Sequence, residues 1–215
     1  MCGRYFWNDD AEDAFEEDFP QLAEEARLLK AGDYTPAMNA LAVVGGARSG
    51  LRSPDGSAAV PDRRANGGAP LGTRFLKWGF PGFDRGKLLI NARAESVKDR
   101  PTFADSFALR RCALPAAGFY EWDKKKEKVT FKVPGSRILY LAGIYRPYGD
   151  ELRFVVLTRE ANAAMAPIHD RMPLILSREE ILPWVTDADR AGNILTKELP
   201  MLQAERPYEQ MTFEW

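Results

Sequence analysis

The chain has 215 residues, 45% of them hydrophobic and 28% charged, and its formal net charge is −1. That balance provides for a proper core in one large domain or two small ones, and it excludes a uniformly basic nucleic-acid coat. There is no apolar run near the roughly 18 residues of a membrane span, no signal-peptide-like start, and no cysteine framework, since only Cys2 and Cys112 occur. A soluble cytoplasmic protein is therefore expected, without membrane contact. Charge is nevertheless uneven: residues 1–33 hold ten acidic side chains against Arg4, Arg27 and Lys30, so the remaining chain is net basic and has room for a local basic surface.

In chain order, NDDAEDAFEEDFPQLAEEARLL reads as a helix capped by Asn8 or Asp9, acidic in its first turns and broken at Pro20. ALAVV (40–44) is a short apolar strand. The stretch 45–72 is rich in Gly, Pro, Ser and Arg and reads as a flexible insert rather than a linker, because the flanking segments are too short to fold separately. Six strand-like runs follow: RFLKWGF, KLLINAR, RCALPAAGFYEW, VTFKV, ILYLAGIYR and LRFVVLT. DKKKEK (123–128) is read as the polar tip of a hairpin. SFALRR and SREEILPWV are helical candidates, the second opening on a Ser/Glu capping box. Strands dominate without regular alternation with helices, so the expected class is α+β, with mainly antiparallel strands. No internal repeat is evident, and residues 1–215 are read as a single domain.

Several residues carry chemical potential, and each also has a plainer structural reading. His169, the sole histidine, sits in APIHDRMPLIL; histidine exchanges protons near neutrality, yet a lone one is often structural. One histidine and two distant cysteines do not make a zinc site, so no metal or other cofactor is expected. In GFYEW, Glu121 shares a strand face with Phe119, opposite Tyr120 and Trp122. A carboxylate there is either at a sheet edge or held in a pocket, where it can act as acid or base. INARAES places Asn91 and Arg93 on one face, an amide and a guanidinium suited to a polar group and an anion. Trp78, Phe80 and Phe83 are aromatic enough to stack on bases, or to fill the core.

Cys2 stands directly behind the initiator methionine. With that methionine removed, its α-amine (pKa about 8) and its thiol (about 8.5) form a 1,2-aminothiol, which closes a five-membered thiazolidine on an aldehyde. Alternatively the thiolate attacks a carbonyl, with His169 as base.

MCGRY, WGF, INARAES, GFYEW and IHDRMP, in that order between Cys2 and Pro173, resemble the SRAP domain family (SOS response-associated peptidases, abasic-site-processing proteins). The resemblance implies the SRAP fold, a barrel-like core with flanking helices. It implies self-removal of Met1 and a covalent thiazolidine link between Cys2 and abasic sites in single-stranded DNA, with AP-lyase activity as a further step. By motif, Cys2 is the nucleophile, Asn91 positions its amine, and Glu121 and His169 handle protons. Arg4, Arg93 and Arg171 would hold phosphates, with Trp78, Phe83 and Trp122 near the bases or shaping the pocket. The implied partner is abasic single-stranded DNA, bound by a monomer that joins the nucleoid when on DNA. The sequence departs from the family pattern in GDYTPAM, which keeps Pro36 but lacks the flanking asparagine, and at Asp84, where an aromatic is common. Two alternatives stay open: a cysteine peptidase or amidase using Cys2 and His169 on protein substrates, and a non-enzymatic single-stranded DNA-binding module.

Overall fold

The structure, a computed structural model, describes residues 2–46, 71–82, 84 and 86–206. Strand β1 (Tyr5–Trp7) leads into helix α1 (Asp9–Asp18), where the side chain of Asn8 accepts the Ala11 N–H at 3.1 Å and caps the first turn. Pro20 then opens a short 3-10 turn before α2 (Ala23–Ala26), the break expected of a residue that donates no N–H. Next come β2 (Gly32–Tyr34), β3 (Asn39–Gly45), β4 (Leu71–Trp78), β5 (Phe80–Pro81), β6 (Leu88–Leu89) and β7 (Asn91–Arg93). After α3 (Ala104–Leu109) the chain forms β8 (Arg111–Ala116), β9 (Gly118–Trp122), β10 (Lys128–Lys132), β11 (Leu139–Tyr148), β12 (Glu151–Glu160), β13 (Arg171–Pro173) and β14 (Ile175–Leu176). Helices α4 (Arg178–Thr186) and α5 (Ala188–Ile194) precede β15 (Gln203–Glu205). The core of the expected 45–72 insert, residues 47–70, lies outside the described residues.

Five strands close on themselves in the order β12–β4–β3–β8–β11 and back to β12. Their inward side chains, among them Val44, Leu114, Leu141 and Val156, are fully buried. Each contributes about 1.5–3 kcal/mol relative to exposure. Helix α4 covers the outside of β3 and β8. There Trp184 donates its Nε1–H to the Cys112 carbonyl at 2.9 Å, and buried Arg111 donates to the Trp184, Phe107 and Ala108 carbonyls at 2.5–2.6 Å. A second sheet runs β15–β10–β9–β1–β2. The architecture is α+β and mostly antiparallel; the pairings of β12 with β4 and with β7 are parallel.

RCALPAAGFYEW is one apolar run in sequence but two strands in space, β8 in the barrel and β9 in the second sheet. The bend falls at Ala117–Gly118, where the Ala117 N–H donates to the Phe6 carbonyl at 2.8 Å. A Cβ on Gly118 would lie 2.7 Å from both the Phe131 carbonyl oxygen and the Phe6 ring, so only glycine lets the three strands approach this closely.

Candidate active site at the start of the chain

Two strand arrangements meet at Cys2. On one side, β1 lies between β2 and β9, with Tyr5 opposite both Tyr34 and Phe119. The Tyr120 N–H donates to the Arg4 carbonyl at 2.9 Å, which carries the β1–β9 register past Tyr5 and brings Glu121 alongside the residues next to Cys2. On the other side, β7 runs parallel to β12 with Asn91 opposite Val156. Asn91 Nδ2 donates to the Cys2 carbonyl at 3.0 Å across 89 residues of chain. Its Oδ1 is buried and accepts no hydrogen bond among the described residues.

Cys2 is completely buried, and burial pushes its thiol up to about 12, with the Glu121 charge adding to the effect and the Arg4 backbone N–H opposing it. The thiol is therefore protonated near neutrality. Glu121 is only 5% exposed on a strand with neighbours on both sides, so the pocket reading holds and the edge reading does not. Its face partner Phe119 is fully buried, whereas Trp122 on the other face is 37% exposed.

His169 ends the turn that leads into β13. Its Nδ1 lies 2.9 Å from the Arg171 backbone N–H and 2.9 Å from Asp170 Oδ1. One ring nitrogen cannot accept from the first and donate to the second. The backbone N–H has no choice of role, so Nδ1 is the acceptor and the neutral ring carries its proton on Nε2. A cavity of about 540 Å³ is lined by Ala164, Pro167 and Ile168, just before His169, and by Val129, the register partner of Glu121. The His169 loop thus faces the strand pair that holds Glu121.

The remaining predicted residues divide. Arg4 lies 5.2 Å from the Trp122 ring centroid and 3.4 Å from Asp33, forming a partly exposed cation–aromatic rim. Arg93 is exposed at the end of β7 on the Asn91 side. Trp78 as a base-stacking residue is corrected: it is 1% exposed, with Tyr5 and Phe154 against its ring, so no face is open to a nucleobase. It acts through its Nε1–H, which donates to the Ile90 carbonyl at 2.9 Å and steadies the residue before Asn91. Phe83 lies outside the described residues. Arg171 is drawn into the protein, its side chain 13% exposed and its fork filled by Glu95 at 2.8 Å on both arms. Sequence reasoning gave no role to Glu95 or Asp33; the signal for Glu95 was its place inside INARAES. No group of three or more metal-ligating side chains occurs among the described residues.

A protein-family model, SOS response associated peptidase (SRAP), matches residues 1–214. The abasic site processing protein YoqW of Bacillus subtilis is 29% identical over 91% of this chain and 86% of its own length. YedK of Escherichia coli, also called an abasic site processing protein, is 34% identical over 50% of this chain and 52% of its own. The crystal structure of a phage-related protein from Bordetella bronchiseptica superposes with a TM-score of 0.69 at 23% identity, covering 95% of this chain and 93% of that one. The chain belongs to the SRAP family.

Proposed function

We propose that this protein processes abasic sites in single-stranded DNA by forming a covalent bond through Cys2. Hydrolysis of the Met1–Cys2 bond consumes one water and frees the Cys2 α-amine. The amine adds to the aldehyde of the ring-opened abasic sugar and expels one water, giving an imine. The thiol then adds to the imine carbon; a C–S bond forms, the sulfur proton passes to nitrogen, and a thiazolidine results. Glu121 and His169 carry protons in these steps, and elimination of the 3′ phosphate from the imine would be the lyase branch. Arg4 and Arg93 hold phosphates, with Trp122 beside the bases. The single-domain, monomeric form is part of this reading.

The observation that carries it is the Asn91 amide: one end holds the Cys2 carbonyl, and the other presents a buried acceptor with no partner among the described residues, suited to an α-amine. A protonated thiol fits an order in which the amine attacks first and the sulfur closes the ring. It does not suit a conventional cysteine peptidase, whose nucleophile is a thiolate with a depressed pKa. Relatives named abasic site processing proteins support the substrate. Intact-mass measurement of the purified protein, repeated after incubation with abasic single-stranded DNA, tests the proposal. Loss of one methionine followed by a stable adduct is expected, with no adduct for Cys2→Ala. An adduct on Cys2→Ala sinks the mechanism.

A further inference from the structure

Arg4 stands two residues past Cys2, and its backbone N–H hydrogen-bonds the Cys2 thiol, so its guanidinium marks the edge of the site. That guanidinium already faces an anion of the protein's own. Asp33 lies on β2 opposite Phe6 of β1, and its Oδ2 sits 3.4 Å from Arg4 Nη1. The Tyr120 hydroxyl, on β9, faces the same carboxylate: burial, then the Asp33 charge and a hydrogen bond to it, push the phenol up to about 12. Tyr120 is itself fixed, with Phe6 stacked on its ring at 5.0 Å and Lys128 Nζ 4.1 Å from its centroid. Asp33 therefore has a defined place beside Arg4.

The pair is nevertheless loose. One arm of the fork is used, at 3.4 Å, and the two side chains are 38% and 39% exposed. Arg27 and Glu16, by contrast, meet on both arms at 2.6 and 2.9 Å. A phosphate reaching this rim can take the Arg4 fork with two short charge-assisted bonds in place of one long one. Trp122, 5.2 Å from the guanidinium, keeps the cation at the rim when the carboxylate is displaced.

We propose that Asp33 is a built-in counter-ion of Arg4, which holds the place of a DNA phosphate and keeps the non-covalent grip on single-stranded DNA weak. This assignment rests on the phosphate-contact role given to Arg4 above. An entering strand must displace the carboxylate or bind beside it, and in both cases gains less than from a bare cation. Undamaged DNA, which offers no aldehyde, is released readily, whereas an abasic strand is retained by its bond to Cys2. Asp33 thus shifts the choice of strand from charge to chemistry.

The test is Asp33→Asn, which keeps the shape and removes the charge, measured beside wild type, Arg4→Gln and the double variant. The readout is the Kd for a labelled, undamaged single-stranded oligonucleotide over a range of salt concentrations. A counter-ion predicts that Asp33→Asn binds about three- to tenfold tighter at low salt. Its plot of log affinity against log salt should also steepen by about 0.7, the contribution of one further neutralised phosphate on a single strand. Most of that gain should disappear in the Arg4→Gln background, because the two substitutions act on one pair. Binding within about twofold of wild type at every salt concentration overturns the proposal and makes the pair an idle surface contact. Weaker binding overturns it too, since Asp33 would then orient Arg4 for DNA. So does an equal gain with and without Arg4, which marks a general effect of net charge. Absence of any adduct between wild type and abasic DNA counts instead against the functional reading, and the affinity comparison still judges Asp33 by itself.

Discussion

The two cysteines are equally buried and differently placed. Cys112 sits in β8, opposite Gly143 of β11, and a Cβ added to that glycine would come within 2.9 Å of its sulfur. Its carbonyl is taken by Trp184, and burial alone raises its thiol far above the ordinary range. Cys2 is just as inaccessible, yet its carbonyl is held by a side-chain amide with a spare buried acceptor, and the Glu121 carboxylate acts on its thiol. Burial thus says nothing about which sulfur reacts. Under the function proposed above the neighbours decide: apolar packing in the barrel makes a filler of one cysteine, and convergent polar groups suit the other to the covalent step.

The largest expected contrast is all or none. Cys2→Ala abolishes the covalent adduct, while Cys112→Ala retains it and loses about 1–2 kcal/mol of stability from the cavity, read from urea midpoints. An adduct lost with Cys112 would erase the distinction. Next comes alkylation. A thiol raised to about 12 is ionised to about one part in ten thousand at pH 8, against about a quarter for a free thiol. Iodoacetamide should therefore modify the folded protein roughly a thousandfold more slowly than the urea-unfolded chain, at both sulfurs, as mapped by peptide mass. The sign carries over to stability. Since the folded values exceed the ordinary 9.0, the thiols favour the fold fully below that pH, and their contribution fades as pH rises toward the folded values. Alkaline urea midpoints should fall accordingly. Asn91→Ala removes the amide on the Cys2 side alone, and adduct formation should slow about a hundredfold through lost positioning, with Cys112 reactivity unchanged.

Much of this was legible in the sequence because local chemistry and global fold agree. The Asn8 cap, the break at Pro20, the capping box of α4 and the alternation that buries Glu121 beside Phe119 all follow from side chains acting within a few residues. Other features were hidden by their dependence on distant partners. Strands of three residues such as β1 and β2 have too little periodicity to register, and their pairing lies with segments far along the chain. The division of RCALPAAGFYEW turns on a close approach at Gly118 that no local pattern encodes. Trp78 illustrates the same limit at the site. A tryptophan in a turn-flanked motif reads equally as stacking surface or core, and only the rings that pack on it decide.

The smallest effect separates the cysteines most cleanly, because one substitution should move two properties of Cys2 in opposite directions. The negative charge of Glu121 raises the Cys2 thiol, whereas no neighbouring charge contributes at Cys112. Glu121→Gln keeps the shape of the side chain and removes the charge. The Cys2 pKa should then fall, the thiolate fraction at a given pH should rise, and alkylation should quicken a few-fold. Cys112 should be unaffected. Adduct formation on abasic DNA should nevertheless slow, by about ten- to a hundredfold, because an amide cannot carry protons between amine, aldehyde and sulfur. A general loosening of the fold would instead speed the alkylation of both cysteines together. A sulfur that becomes more reactive toward iodoacetamide and less competent toward the aldehyde marks Glu121 as a proton carrier rather than a packing residue.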